Sequence, residues 1–297
     1  ALAFAQAGAL SCPGNAAAGL KVGQLARRRA EYARSETWFR RTIGLARQSR
    51  DWSSYAEAFA ALGNLYVQRG NLPAARQFHI RALRAGRRHS LRHIVAGVLH
   101  DLFGIAVVSE QFDEAEALSR AAFEAYDPES PRIPAFANDV ACFWVERGQF
   151  NPSLTVFQAL VPQMMRSMEL HYSVLGNIAR TAGGVGDRDT FASASEQLWK
   201  LVRGSEVREY AAQSLLDLAR GAASLGEWAQ AETAASTAVQ IATERQEARV
   251  LITAETVLDA VRHEQALEAG AAAKAESDDA DVFATDLVRT LEEHAAV

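Results

Sequence analysis

A six-residue turn frame recurs along this chain at nearly constant spacing. Gly70-Asn71-Leu72-Pro73-Ala74-Ala75 is its clearest form. The same frame reads Glu110-Gln111-Phe112-Asp113-Glu114-Ala115, Gly148-Gln149-Phe150-Asn151-Pro152-Ser153 and Gly226-Glu227-Trp228-Ala229-Gln230-Ala231. Ala30-Glu31-Tyr32-Ala33-Arg34-Ser35 fits upstream, and a degraded copy, Gly186-Asp187-Arg188-Asp189-Thr190-Phe191, fills the one gap. The starts at 30, 70, 110, 148, 186 and 226 are 40, 40, 38, 38 and 40 residues apart. A fixed period of that size marks a stack of supersecondary units, none able to bury its apolar face alone.

Each part of the frame has a physical task. The opening residue, small or polar, ends a first helix. Two positions on, an aromatic or leucine (Tyr32, Leu72, Phe112, Phe150, Trp228) is expected to pin the turn to the core. Three further on, a small residue (Ser35, Ala75, Ala115, Ser153, Ala231) lets the second helix approach closely. Seven beyond that, Ala82, Ala122 and Ala238 repeat the small position. Around the clearest turn, Phe59, Leu62, Gly63 and Tyr66 precede it at helical spacing, and Phe78 and Leu83 follow. Period-two alternation is not sustained anywhere, so the chain reads as all-α.

Leu62-Gly63-x-x-Tyr66 followed by Ala75 and Ala82 resembles the tetratricopeptide repeat (TPR), over roughly residues 16–262. The family's period is about 34 residues. The longer period here is similar to that of bacterial regulatory TPR proteins, including the maltose-activator type and the Rap type of peptide sensor. The resemblance implies a right-handed superhelix of about six helix pairs, whose first helices line a concave groove for a peptide or helix of a partner. His79 and Ser119 depart from the family's aromatic positions, and Pro162 is expected to kink or end its helix.

Helix pairs are expected at about 16–50, 54–89, 91–127, 133–168, 170–203 and 208–245. Residues 1–14 read as part of a preceding repeat broken at Pro13-Gly14, and residues 15–265 as the solenoid. Residues 266–297 read as a capping helix or tail, with an alanine-rich stretch from Ala266 to Glu276. An acidic break follows at Ser277-Asp278-Asp279, then a last helix over about 282–294. Asp127 to Pro131, with Pro134, is the clearest linker, and Gly183-Gly184-Val185-Gly186 reads as a widened turn. Ala9-Leu10-Ser11-Cys12 only faintly resembles a lipoprotein processing site: it lacks a basic leader. The chain begins without Met, which suggests a piece of something larger.

Net charge conceals an asymmetry. Residues 1–100 hold 16 Lys+Arg against 4 Asp+Glu, net +12; residues 101–297 hold 15 against 32, net −17. The basic third is almost all arginine, and Arg27, Arg28, Arg29 and Arg34 are its expected patch for an anionic partner, nucleic acid or an acidic protein segment. A solvated outer face is the plainer account. Basic-to-acidic association of two copies, a homo-oligomer, is a third. No apolar run is long and clean enough to span a membrane. Cys12 and Cys142 make no metal-spaced pair and fit a reducing compartment, so a cytoplasmic location is expected.

Chemistry is weakly signalled. The glycine run lacks the Lys-Ser/Thr of a phosphate loop. His89, His93 and His100 share a helix spacing, but nothing completes a ligand set, so no metal or other cofactor is expected. The chain reads as no enzyme. By the resemblance, the groove row runs Gln24, Asn64, Gly104, Cys142, Asn177, Arg220, with His100, Asn138 and Ser173 a turn earlier and Arg28, Gln68, Glu146 and Ser224 a turn later. Asparagine is a poor helix former, so Asn64, Asn138 and Asn177 suggest a ladder of amides holding an extended peptide. Bonds to adjacent helices are the competing account. The function expected is an interaction scaffold. The alternative is a sensory or regulatory TPR domain of a bacterial transcriptional regulator, binding a peptide or small effector.

Overall fold

The computed structural model describes residues 1–12, 14–164, 168–204, 210–265, 267 and 278–295. Among these residues the chain is all-α, with no strand. It divides into two compact units, residues 1–130 and 131–297, at the linker the sequence marks. Unit 1 holds α1 (Leu2–Ser11), α2 (Ala16–Arg28), α3 (Tyr32–Ser49), α4 (Trp52–Gln68), α5 (Leu72–Arg88), α6 (Arg92–Val108) and α7 (Phe112–Ala125). Unit 2 holds α8 (Ile133–Glu146), α9 (Phe150–Met164), α10 (Met168–Val185), α11 (Arg188–Gly204), α12 (Ala211–Ser224), α13 (Trp228–Glu244), α14 (Ala248–Arg262) and α15 (Asp278–Ala295). Pro13, Ser277 and the expected alanine-rich stretch, Leu267 apart, lie outside the described residues.

The recurring frame is a backbone device. All six frame starts carry positive φ: Ala30 57°, Gly70 71°, Glu110 56°, Gly148 72°, Gly186 80° and Gly226 75°. Each left-handed residue lets the next N–H reach back to the closing helix. Asn71 N donates to Tyr66 O at 2.9 Å and Gln111 N to Ala106 O at 2.9 Å. Asp187 N to Ala182 O, also 2.9 Å, shows the degraded copy built the same way. This is the Schellman closure, which satisfies carbonyls that a helix end leaves open. Glu264 (φ 50°) repeats it after α14, with Gln265 N on Ala260 O at 2.9 Å. The same closure also ends the second helices α3, α5 and α13, at Arg50, Ser90 and Gln246, so it is the place of α14 after α13 that makes it a seventh first helix.

The small positions of the frame are closed contacts: Ser35, Ala75, Ala115, Ser153 and Ala231 are fully buried, as are Ala82, Ala122 and Ala238. The two serines also bond across the pair, Ser35 Oγ to Gly23 O at 2.9 Å and Ser153 Oγ to Ala141 O at 3.1 Å. The aromatic pins are less buried than expected; Phe112 is 40% exposed. In unit 1, α2, α4 and α6 touch in series, whereas α3, α5 and α7 meet chiefly the first helices. The first helices therefore form the tighter, inner layer of that unit. Its core runs through Phe39, Leu62 and Leu65, then Phe59, Ala82, Val98 and Leu102.

Unit 2 departs from that pattern. Its most intimate contact joins two first helices, α10 and α12, while α11 barely meets α12. A Cβ on Gly183 would fall 2.3 Å from Gly221 O, one on Gly221 2.3 Å from Ala179 O, and one on Gly176 2.8 Å from Ser214 Cα. Gly183 and Gly184 are thus interior residues of α10, not the widened turn expected; only Gly186 turns the chain. Gly184 faces the Phe150 ring. Pro162 lies inside α9 (Phe150–Met164). α15 starts at Asp278, ahead of the expected 282, and takes in Asp278 and Asp279 of the acidic break. It packs on α9 and α8, not on α14: Phe283 meets Trp144 edge-on at 5.7 Å, and Gln163 Nε2 donates to Leu291 O at 3.0 Å.

Candidate functional site

The expected groove residues behave differently in the two units. In unit 2 they bond to one another. Asn177 is only 8% exposed and its amide donates to Cys142 Sγ on α8 at 3.5 Å. Arg180, which the sequence reading missed, bridges Glu146 on α8 (2.8 Å) and Asp217 on α12 (3.7 Å). Arg220 reaches the same Asp217 oxygen at 3.5 Å, and Gln213 donates to the other at 3.3 Å. Burial pushes the Asp217 carboxyl above its ordinary value, against the pull of Arg180 and Arg220. Burial and the nearby Asp139 and Asp217 push the Cys142 thiol up to about 12, which leaves it protonated and unreactive. Asn138 donates to its neighbour Asp139 at 3.3 Å. The Asn177 amide nitrogen and Arg220 Nη1 are therefore engaged inside the unit. This removes Asn177 from the ladder expected of it: the residue is buried and its amide bonds to Cys142 on the adjacent helix α8.

In unit 1 the equivalent face is open. Asn64, half-buried on α4, donates to Asp101 Oδ2 on α6 at 3.3 Å, which leaves its carbonyl oxygen without a bond. Gln24, Arg28 and Gln68 make no hydrogen bond or ion pair with described residues; Arg28 and Gln68 are exposed. Gly104 is exposed, with open space where a Cβ would stand. His100 is engaged, its Nδ1 lying 3.1 Å from the Tyr126 hydroxyl. Behind this face His79 is fully buried against Gly63, its Nδ1 3.7 Å from Asp101 Oδ2 and neither ring nitrogen hydrogen-bonded. Burial holds its pKa below the ordinary value, offset in part by Asp101. Gly63 of the Leu-Gly signature is what leaves room for that ring.

The expected anionic patch is partly neutralised. Glu31 holds both Arg29 (2.9 Å) and Arg34 (2.6 Å). Arg27 is half-buried, its Nε shielded and without a partner, and Arg28 alone is exposed and unpaired. A different set of arginines converges elsewhere in unit 1. A cleft of about 630 Å³ opens between α3, α4 and α5. Arg47, Arg81, Arg84 and Arg88 line it, and its aromatic side is Trp52, Tyr55, Phe59 and His89. Trp52 and His89 stack face to face, centroids 4.4 Å apart and planes 7° from parallel. Arg81 lies over Phe59 and Phe78 at 6.0 and 5.7 Å. Positions 81, 84 and 88 fall on one stripe of α5. That spacing was readable in the sequence. Their convergence with Arg47 and Trp52 was not, since it depends on how three helices pack.

Among the described residues no helix is long and apolar enough to cross a membrane, and no group of His, Cys, Asp or Glu could hold a metal ion. No protein-family model and no curated protein matches the sequence. Solved structures do. The crystal structure of BtubC (BKLC) from P. vanneervenii is similar at 15% identity, covering 69% of this chain and 89% of that one, with a TM-score of 0.58. The TPR2AB domain of yeast Sti1, solved as a pHSP90 complex, matches at 13% identity over 84% and 86% of the two chains, TM-score 0.34. At such identity the first is a likeness of fold, and it agrees with the helical repeats described above.

Proposed function

We propose that this chain is a TPR-type interaction scaffold that holds an extended peptide or a helix of a partner protein on the first-helix face of unit 1. One observation carries the reading. Equivalent positions are bonded within unit 2, Cys142 to Asn177, Glu146 to Arg180 and Arg220 to Asp217, but left unbonded in unit 1, at Gln24, Arg28, Gln68 and the carbonyl of Asn64. Side-chain amides that both donate and accept suit a peptide backbone, and Asp101 fixes the Asn64 amide in one orientation. The face works by presentation, with no bond made or broken.

Peptide-display selection against the whole chain tests this. Peptides enriched on the native protein should lose affinity roughly 5- to 150-fold when Asn64→Ala and Gln68→Ala remove two hydrogen bonds. Equal binding to the double variant would place the partner elsewhere. A second reading, a regulatory domain whose effector sets partner binding, is favoured by the arginine-lined cleft.

A further inference from the structure

We propose that the cleft between α3, α4 and α5 binds a nucleoside di- or triphosphate, its phosphates on Arg47, Arg81, Arg84 and Arg88 and its base against the Trp52–His89 stack. The inference deepens the regulatory reading of the cleft and is independent of the peptide reading of the first-helix face.

The first support is charge left uncompensated. Residues 1–100 contain 15 arginines and four acids, and all four acids are engaged elsewhere. Glu31 holds Arg29 and Arg34, Glu36 holds Arg40 and Arg69, Asp51 caps α4 at Ser54 N, and Glu57 accepts from Ser53. Arg76 is answered from beyond that stretch, by Glu114. Arg47, Arg81, Arg84 and Arg88 have no carboxylate partner among the described residues, and no acid lines the cleft. Helix dipoles account for Arg47 and Arg88, each in a last turn, but not for Arg81 and Arg84 in mid-helix.

The second is the donor chemistry. Guanidinium groups donate and never accept, so four of them select a ligand rich in acceptors. A phosphate chain is such a ligand and matches the planar fork of arginine. An extended peptide backbone, which donates as often as it accepts, does not. The third is shape. About 630 Å³ lies within the range of roughly 300–1,000 Å³ of small-molecule sites and far exceeds what an isolated phosphate needs. Beside the arginines the wall is flat and aromatic, suited to a purine or pyrimidine ring.

Calorimetric titration with ATP, tripolyphosphate, adenosine, a short single-stranded oligonucleotide and a glutamate-rich peptide tests the proposal. ATP should bind tightest. Arg84→Gln with Arg88→Gln should weaken ATP and tripolyphosphate together, by at least about tenfold. Trp52→Leu should cost ATP roughly 5- to 150-fold and leave tripolyphosphate unchanged. His89→Ala gives the same comparison if the Trp52 variant loses its circular dichroism. Tripolyphosphate binding as well as ATP, tighter binding of the oligonucleotide or the peptide, or indifference to the arginine changes would each overturn it. Repeating the peptide selection with saturating ATP tests regulation separately: nucleotide binding without any change in peptide capture would retain the site and remove the regulatory role.

Discussion

Replacing Gly221 by alanine on α12 should destabilise unit 2 although alanine is the better helix former. The added Cβ would lie 2.3 Å from Ala179 O, 2.8 Å from Ala179 C and 3.1 Å from Arg180 Cα, against ordinary contact at 3.4–4 Å. All three are backbone atoms of α10, so no rotamer relieves the overlap. The helices must part by about 1 Å in a close-packed interior. Helix propensity returns about 1 kcal/mol, and overpacking costs about 1–3 kcal/mol. Parting α10 from α12 also stretches the buried Arg180–Asp217 pair, now at 3.7 Å, and losing such a pair outright costs about 3–5 kcal/mol. The net expectation is a loss of about 2–5 kcal/mol, read as a lower urea midpoint by far-UV circular dichroism. Gly44→Ala in α3 is the control: it has open space around it, so propensity alone should stabilise by about 1 kcal/mol. A neutral or stabilising Gly221→Ala would refute the close approach of α10 and α12.

Arg180→Met should cost about 3–5 kcal/mol by leaving Asp217 under-compensated, and Asp217→Leu added to it should recover most of the loss in a double-mutant cycle. His79 is held below its ordinary 6.5 by burial, so the unfolded chain takes up its proton first. Its contribution to stability is full above pH 6.5 and declines as pH falls toward the folded value, a slope that His79→Leu should flatten in denaturant titrations. Of the two cysteines, exposed Cys12 should react promptly with a thiol reagent in the native protein, while Cys142, raised to about 12, should react only on unfolding. Two rapidly titrating thiols would contradict the environment described for α8.

The repeat period was legible in the sequence because each frame encodes a local event, a left-handed residue closing a helix, and local events leave local signatures. Ala30 and Glu110 occupy that conformation without being glycine, yet their neighbours gave the frame away. The small positions were equally plain, since one buried alanine per turn sets a helix spacing. Gly183 and Gly184 were not: glycine signals a turn and a close helix contact alike, and only the partner, Gly221, decides between them. Asn177 was not legible either. Its residue type and its place after Leu-Gly match Asn64, and both amides bond to a neighbouring first helix, but packing buries Asn177 and leaves Asn64 half-buried. Arg180 had no sequence signal, because its partners lie 34 residues upstream and 37 downstream.

The return of α15 to α8 and α9 bears on how unit 2 is made. A stack of repeats whose contacts join only neighbours can grow pair by pair as the chain leaves the ribosome. Unit 2 cannot finish that way. Phe283, Ala284, Leu287 and Leu291 are buried residues of the last helix, and Leu291 bonds to Gln163, 128 residues earlier. The apolar surface of the first pair, Trp144 included, stays uncovered until α15 has been synthesised, more than 100 residues later. Closure of a loop that long is slow relative to helix pairing. A chain cut after α14 would keep every repeat yet lose the cover on the pair made first, so its defect would surface at the opposite end of the unit from the cut.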